Sequence, residues 1–446
     1  MKEPGRPGGR AFESPRAHQD FKSLAEIYWV FVSALGVFSA DLHIHSKYSG
    51  GTSSRMNLKT VSQQARLKGL DIVGTGDIFH PEWMESVEEE LVRVEEGTFE
   101  HPEYKTRFLL TAEVEDSKRV HHLILFPSIS IVREVGERFM KDSPSLKLDG
   151  RPRLRLSAPE IAEIVVEQGC LIGPAHAFTP WTSVYKEFDS LVECYMDMRA
   201  KVSFLELGLS ADTSMADRIS ELSDLTFLSN SDSHSPWPDK LGREFNRFEL
   251  ASPSFEEVRR AIERRAGRRV ELNVGFDPRL GKYHRTACAR CFKQFGLMDA
   301  ENLGWKCDRC GGMIKKGVLD RINELADRSE PVHPAHRPPY LRVAPLAEII
   351  ALAVGEGTDT HHPEVQKVWA KLVRRFGNEI RVLVDVPPGE IESVGGSGIA
   401  VLVEAFRNQE LKVIDGGGGR YGRLEVPSEL LVHHPKRVQR RLTEFG

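Results

Sequence analysis

At 446 residues the chain is too long for one ordinary domain and implies two to four. Its 40% hydrophobic and 28% charged residues suit a soluble globular protein and exclude a fibrous or disordered one. A formal net charge of −4 excludes a basic surface spread over the whole molecule, so any nucleic-acid contact must be local.

The first feature along the chain is Ile27–Ala40, a 14-residue, almost wholly apolar run that is too short to span a membrane. It has the look of a signal peptide, but cleavage after Ala40 would leave His43 and His45 on a free end. Residues from about 36 therefore read as a strand, and 1–35 as an N-terminal extension. A start codon assigned too far upstream explains that extension equally well.

Seven strand-like runs follow: Val37–His45, Asp71–Asp77, Phe108–Glu115, His121–Phe126, Cys170–Ala177, Val202–Leu209 and Leu225–Asn230. Helical patterns at Leu58–Lys68, Met84–Glu96 and Ala158–Gln168 lie between them. The alternation predicts a parallel α/β arrangement, and seven strands predict a closed or nearly closed barrel. In such barrels function gathers at the C-terminal strand ends. His45, Asp77, Glu113, His176 and Asp232 lie at or just past such ends, whereas His122 sits at the start of its strand. Strand alternation also puts His43 and His45 on one face, where both can reach one ion.

Two basic blocks, 258–269 and 436–442, read equally as a solvated helix face with a basic tail or as DNA-tracking surfaces. After Asn273 the character changes, and residues 277–330 carry Cys288-x2-Cys291 and Cys307-x2-Cys310 with 15 residues between the pairs. That spacing is the pattern of a small ribbon around structural zinc; two pairs so close together disfavour a redox role. Arg285, Arg290, Lys293, Lys306, Arg309, Lys315 and Lys316 crowd these knuckles. Cys170 and Cys194 read as isolated small apolar residues, and this cysteine usage fits a reducing, cytoplasmic setting. A linker at Pro331–Pro339 leads to a mainly helical unit, 331–427, with helices at Leu346–Val354 and Val365–Phe376, a strand at Ile380–Val386 and the run Gly416–Gly419. Residues 428–446 read as a basic tail.

The imidazole and carboxylate set of the first half suits Zn²⁺, Mn²⁺ or Fe²⁺ better than ions that prefer all-oxygen sites. Glu113 is the carboxylate placed to bridge two such ions, which favours phosphoester hydrolysis, with an amidohydrolase as the rival.

The first 275 residues resemble a PHP domain, whose motifs begin with His-x-His and close with Asp-x-His. The run from about 37 to 426 resembles the endonuclease Q family. The matching stretches include Ala40–Ser46, Gly74–Asp77, Val120–His122, Gly173–Thr182, Leu205–Asp212, Leu228–Ser235, Leu241–Phe248 and the cysteine quartet. The resemblance implies a PHP-type distorted seven-stranded β/α barrel (36–276), a zinc-ribbon domain (277–330) and a helical C-terminal domain (331–427). It further implies a DNA repair endonuclease that nicks 5′ to uracil, hypoxanthine, xanthine or an abasic site. The alternative is a PHP-type phosphatase acting on a small phosphomonoester.

By motif matching, His43, His45, Asp77, Glu113, His122, His176, Asp232 and His234 take the metal positions, with Asp232, Glu113 and His234 catalytic. His122 is preferred to His121 because it directly precedes Leu123–Phe126. Two or three divalent ions (Zn²⁺, Mg²⁺ or Mn²⁺) are expected as cofactors, with a structural zinc on Cys288, Cys291, Cys307 and Cys310. Damaged DNA and a sliding clamp are the expected partners, with no membrane. Candidate lesion or phosphate contacts are Phe178, Trp181, Tyr185, Asn230, Arg243, Arg247 and Arg279.

Overall fold

The computed structural model describes residues 1, 35–141, 143–355 and 359–426. Residues 2–34, and with them most of the apolar run, lie outside the described residues, as does the basic tail at 428–446.

All seven expected strands form: β1 (Gly36–Asp41), β2 (Ile72–Gly74), β3 (Arg107–Glu115), β4 (His121–Phe126), β5 (Leu171–Pro174), β6 (Phe204–Glu206) and β7 (Thr226–Leu228). β1, β2 and β3 pair in parallel, as do β6 and β7. Ser203 donates its amide to Ile172 and Ala177 donates to Glu206, both at 2.9 Å, stitching β5 to β6. A parallel bridge between Ile44 and Ser233 closes the ring back onto β1.

One strand departs from the all-parallel expectation. β4 runs antiparallel to both β3 and β5. Only residues 116–120 join β3 to β4, and a parallel crossover needs a dozen residues or more. The hairpin therefore brings the start of β4 to the same rim as the end of β3, with Glu115 opposite His121.

Alternation along β3 and β4 divides their side chains between two cores. Leu109, Leu123 and Leu125 point to the barrel interior with Ala40, Leu42, Ile72 and Phe204. Phe108, Leu110, Ala112, Ile124 and Phe126 pack outward with Val61, Trp83, Val135 and Ile161 from the flanking helices. Two further strands, β8 (Phe245–Leu250) and β9 (Arg269–Gly275), extend the sheet from the far edge of β1.

The cysteine segment has its own small core of Cys288, Phe295, Ala300, Cys307 and Ile314. The last part of the chain is mainly helical, with Leu346–Val354, Pro363–Phe376, Pro388–Gly395 and Ser397–Arg407 around a separate core. The strand expected at Ile380–Val386 is instead a π-helical turn, Arg381–Asp385. Burial at residues 379, 380, 382, 383 and 386 follows a helical period, not alternation. Lys68 of the barrel is buried against Glu379 at 2.8 Å, and Arg247 makes two bonds of 2.9 and 2.8 Å to Asp385, so both ends of this turn grip the barrel. No helix among the described residues is long and apolar enough to cross a membrane.

Candidate metal centre

The rim of the barrel gathers His43 and His45 after β1, Glu113 on β3, His121 on β4, His176 after β5, and Asp232 and His234 after β7. Glu113 is the hub. Its Oε1 lies 2.7 Å from His121 Nδ1 and 2.9 Å from His176 Nε2, and its Oε2 lies 3.3 Å from His45 Nε2. Asp232 Oδ1 is 3.2 Å from His45 Nε2 and 3.5 Å from His234 Nε2. Asp232 and His234 keep 30% and 33% of their side chains exposed, so this side is open to a substrate.

The set fits divalent cations on the evidence of its own unsatisfied atoms. His43 Nε2, His45 Nε2 and Asp232 Oδ1 are buried without a hydrogen-bond partner and face one another. Buried polar atoms are seldom left unpaired. The opposite nitrogen of each imidazole is held: His43 Nδ1 by Glu206 at 2.9 Å and His45 Nδ1 by Asp77 at 2.9 Å. Thr52 holds His234 Nδ1 at 2.7 Å and Thr179 holds His176 Nδ1 at 3.1 Å. Such outer partners fix the ring and leave the free nitrogen for a metal.

Electrostatics follow the same division. Burial alone would raise Glu113 and Asp232, but His121 and His43 hold the Glu113 carboxyl well below the usual range, and His234 and His45 do so for Asp232. Against burial that would lower them, Glu206 and Asp77 keep His43 and His45 well above an ordinary imidazole. Asp77, His176 and Asp232 also hold positive φ values of 44°, 30° and 47°, a conformation that costs about 1–3 kcal/mol per residue and concentrates at functional sites.

Two expected metal positions differ. His122 shares the outward parity of Ile124, and its ring meets the Tyr195 hydroxyl at 2.7 Å and Asp116 at 3.3 Å, away from the cluster. His121 shares the inward parity of Leu123 and takes the rim position instead. Both neighbouring residues are apolar on either parity, so the run itself could not separate them; pairing β4 with β3 as a hairpin would have. Asp77 does not face the cluster either. It accepts from the Ser46 amide at 2.6 Å and hydroxyl at 2.7 Å and orients His45. Glu206, overlooked as a site residue, does the same for His43.

Most of the expected lesion contacts already have partners within the protein. Phe178 and Tyr185 are buried and stack on each other at 5.0 Å, and the Tyr185 hydroxyl donates to Glu221. Asn230 is buried and accepts from the Leu42 amide. Arg243 donates to the Ser231 carbonyl, Arg247 binds Asp385, and Arg279 binds Asp277. Trp181 differs: it is 54% exposed and meets the Tyr283 ring edge-on at 5.7 Å. In the basic block at 258–269, Arg259 and Arg260 pair with Glu256 as on an ordinary solvated helix, and Arg268, beyond the helix end, pairs with buried Glu257.

In the ribbon, Cys288 and Cys310 sulfurs are 3.5 Å apart and Cys291 and Cys307 sulfurs 3.6 Å. Four thiolates at about 2.3 Å from one ion stand about 3.8 Å from each other, so the quartet is nearly at tetrahedral zinc spacing. Burial would raise the Cys288 thiol, but the Cys291 and Arg290 amides bring it down to about 6.

A family model described as the MJ0043 C-terminal domain matches residues 345–410. The uncharacterized protein MJ0043 of Methanocaldococcus jannaschii is 46% identical over 268 residues, covering 59% of this chain and 33% of that protein. The chain therefore matches about a third of that relative's length. The crystal structure of the lesion-specific endonuclease PfuEndoQ from Pyrococcus furiosus is 51% identical, with a TM-score of 0.86 over 89% of this chain and 97% of that one. A structure of endonuclease Q with a 27-mer duplex substrate carrying an abasic lesion at the active site is also 51% identical, with a TM-score of 0.83 over 89% and 98%.

Proposed function

Because this chain belongs to the endonuclease Q family, we propose that it is a metal-dependent, lesion-specific DNA endonuclease hydrolysing one phosphodiester beside a damaged nucleotide. The observation that carries the chemistry is the rim cluster, in which two carboxylates and five imidazoles converge with unpaired ligand atoms. Its substrates are an abasic site and the deaminated bases uracil, hypoxanthine and xanthine, with the cut on the 5′ side.

His43, His45, Glu113, His121, His176, Asp232 and His234 would hold the catalytic ions. Two divalent cations there supply Lewis acidity toward the phosphate and a nucleophile at neutral pH. The protein's share is positional. Glu206 and Asp77 aim His43 and His45, and the open face at Asp232 and His234 admits the backbone of a strand. A damaged base must leave the stack to be read, so the altered nucleotide is presented at this rim.

The cysteine quartet would hold a structural Zn²⁺ that braces the ribbon. Exposed Trp181 and Tyr421 flank half-buried Lys282 and Tyr283, with Lys282 Nζ 5.4 Å from the Tyr283 ring and 5.7 Å from the Tyr421 ring. Aromatic faces interleaved with cations suit an unstacked strand. The protein acts where DNA is repaired, in the cytoplasm.

The test is a labelled duplex with one central deoxyuridine, incubated with Mg²⁺ or Mn²⁺ beside Asp232→Ala. A single cut 5′ of the uridine, absent from the variant, is expected. Hydrolysis of a small phosphomonoester with no cut would overturn the reading in favour of a phosphatase.

A further inference from the structure

Arg151 is the one lysine or arginine among the described residues that pairs with a carboxylate of the rim cluster. It sits on a strap, residues 149–154, laid across the barrel mouth. The Gly150 amide donates to the Tyr48 carbonyl at 3.1 Å, the Glu115 amide to Pro152 at 3.0 Å, and the Leu154 amide to Glu115 at 2.7 Å. The strap lies so close that a Cβ at Gly150 would fall 2.4 Å from Asp77 Oδ2 and 2.7 Å from Ser49 Oγ. Only glycine permits that approach, and it delivers the next side chain over the cluster.

The contact Arg151 makes there is poor. Its Nη1 is 3.5 Å from Glu113 Oε2, at the limit of a hydrogen bond, and the other N–H groups of the guanidinium bond nothing among the described residues, although the backbone amide donates to Asp149 at 3.0 Å. Nearby Arg153 and Arg119 are instead tied to Glu115, and both are 62% exposed. Arg151 is more enclosed, with 31% of its side chain exposed.

Charge decides what its free donors are for. The cluster has two carboxylates among neutral-type ligands, so two divalent ions would leave a surplus of about two positive charges. Once those ions engage Glu113, the guanidinium loses its one partner in the cluster, and its free donors are left to an anion brought by the substrate. A phosphodiester supplies that anion, and a planar fork of N–H groups matches its oxygens.

We propose that Arg151 is a catalytic residue that binds a non-bridging oxygen of the scissile phosphate. The assignment rests on the endonuclease reading above. Arg151 makes no covalent bond and transfers no proton; it neutralises charge that grows on the phosphoryl oxygens as the water attacks and the 3′ oxygen departs.

The experiment compares the metal-loaded wild-type protein, Arg151→Gln and Arg151→Lys on deoxyuridine duplexes with either the ordinary phosphate or a neutral methylphosphonate at the cut position. Binding is followed by stopped-flow anisotropy before cleavage begins, cleavage by single-turnover quench, and folding by thermal midpoint and zinc content. Wild-type protein should lose about tenfold or more in affinity for the methylphosphonate. R151Q should bind the ordinary duplex correspondingly weakly, lose markedly less affinity than wild type on going to the methylphosphonate (the loss that remains being that of the metal ions), and cut about 10²–10³-fold more slowly, with R151K in between. An equal methylphosphonate loss in wild type and R151Q, with folding intact, overturns the Arg151 assignment alone. Wild-type protein that leaves the deoxyuridine duplex whole overturns the endonuclease reading and this assignment with it.

Discussion

His121 Nδ1 lies 2.7 Å from Glu113 Oε1, while the adjoining His122 turns to the Tyr195 hydroxyl at the same distance on the other side of the sheet. Two consecutive histidines thus have opposite duties. The inward one belongs to the candidate metal centre and the outward one to the packing of β4 against the helical layer.

His121→Ala should therefore lower the content of catalytic metal and abolish lesion cleavage while the protein stays folded. His122→Ala leaves the buried Tyr195 hydroxyl and Asp116 Oδ2 without their imidazole partner, which costs about 1–3 kcal/mol of stability, yet should retain metal and activity. Metal analysis beside a melting curve separates them. Loss of metal from H122A with normal metal in H121A would reverse the assignment.

Glu206 and Asp77 orient rather than ligate. Glu206→Gln and Asp77→Asn should weaken catalytic metal binding by about 10- to 100-fold, the usual effect of losing an outer partner. Titration of the chelator-treated variants with Mn²⁺ measures this. Excess Mn²⁺ should restore cleavage; failure to restore it would mean that these carboxylates do more than aim the rings.

Burial pushes the Glu244 carboxyl up to about 8, with Glu206 and Asp41 adding to the rise and the Phe276 amide opposing it. An acid raised in the folded state is most stabilising when neutral. Its contribution is complete below the ordinary value near 4.5 and disappears as pH climbs through about 8. Glu244→Gln, which never ionises, should melt above the parent at pH 9 and lose that advantage at pH 5. Thermal midpoints at the two pH values decide it, and an advantage that does not change with pH would show that Glu244 ionises normally.

Trp181, at 54% exposure, and Tyr421, at 70%, have little packing to lose. Trp181→Ala and Tyr421→Ala should each weaken binding of a lesion duplex by about 1–3 kcal/mol without altering the melting temperature. Anisotropy titrations would read the change. Unaltered affinity in both would move the DNA path away from this line of aromatics.

The strand pattern was legible in the residues themselves, because apolar runs bounded by turns and separated by helical intervals declare a barrel before any contact is known. The cysteine quartet was equally plain, since its ligand geometry is encoded in spacing of a few residues. So too were His43, His45, Glu113, His176, Asp232 and His234, each tied to a strand end. What folding alone decided was which side of a strand, and which partner, each polar group meets. His121 and His122 are flanked by residues apolar on both parities, so only the antiparallel register of β4 with β3 separates them. Glu206 and Asp77 became orienting groups because strands 163 and 32 residues from their histidines came together at one rim. Arg247, Tyr185 and Asn230 became structural through partners no local pattern names. Local chemistry and period are written along the chain; the pairing of distant polar groups is set by strand order and twist, which belong to the whole fold.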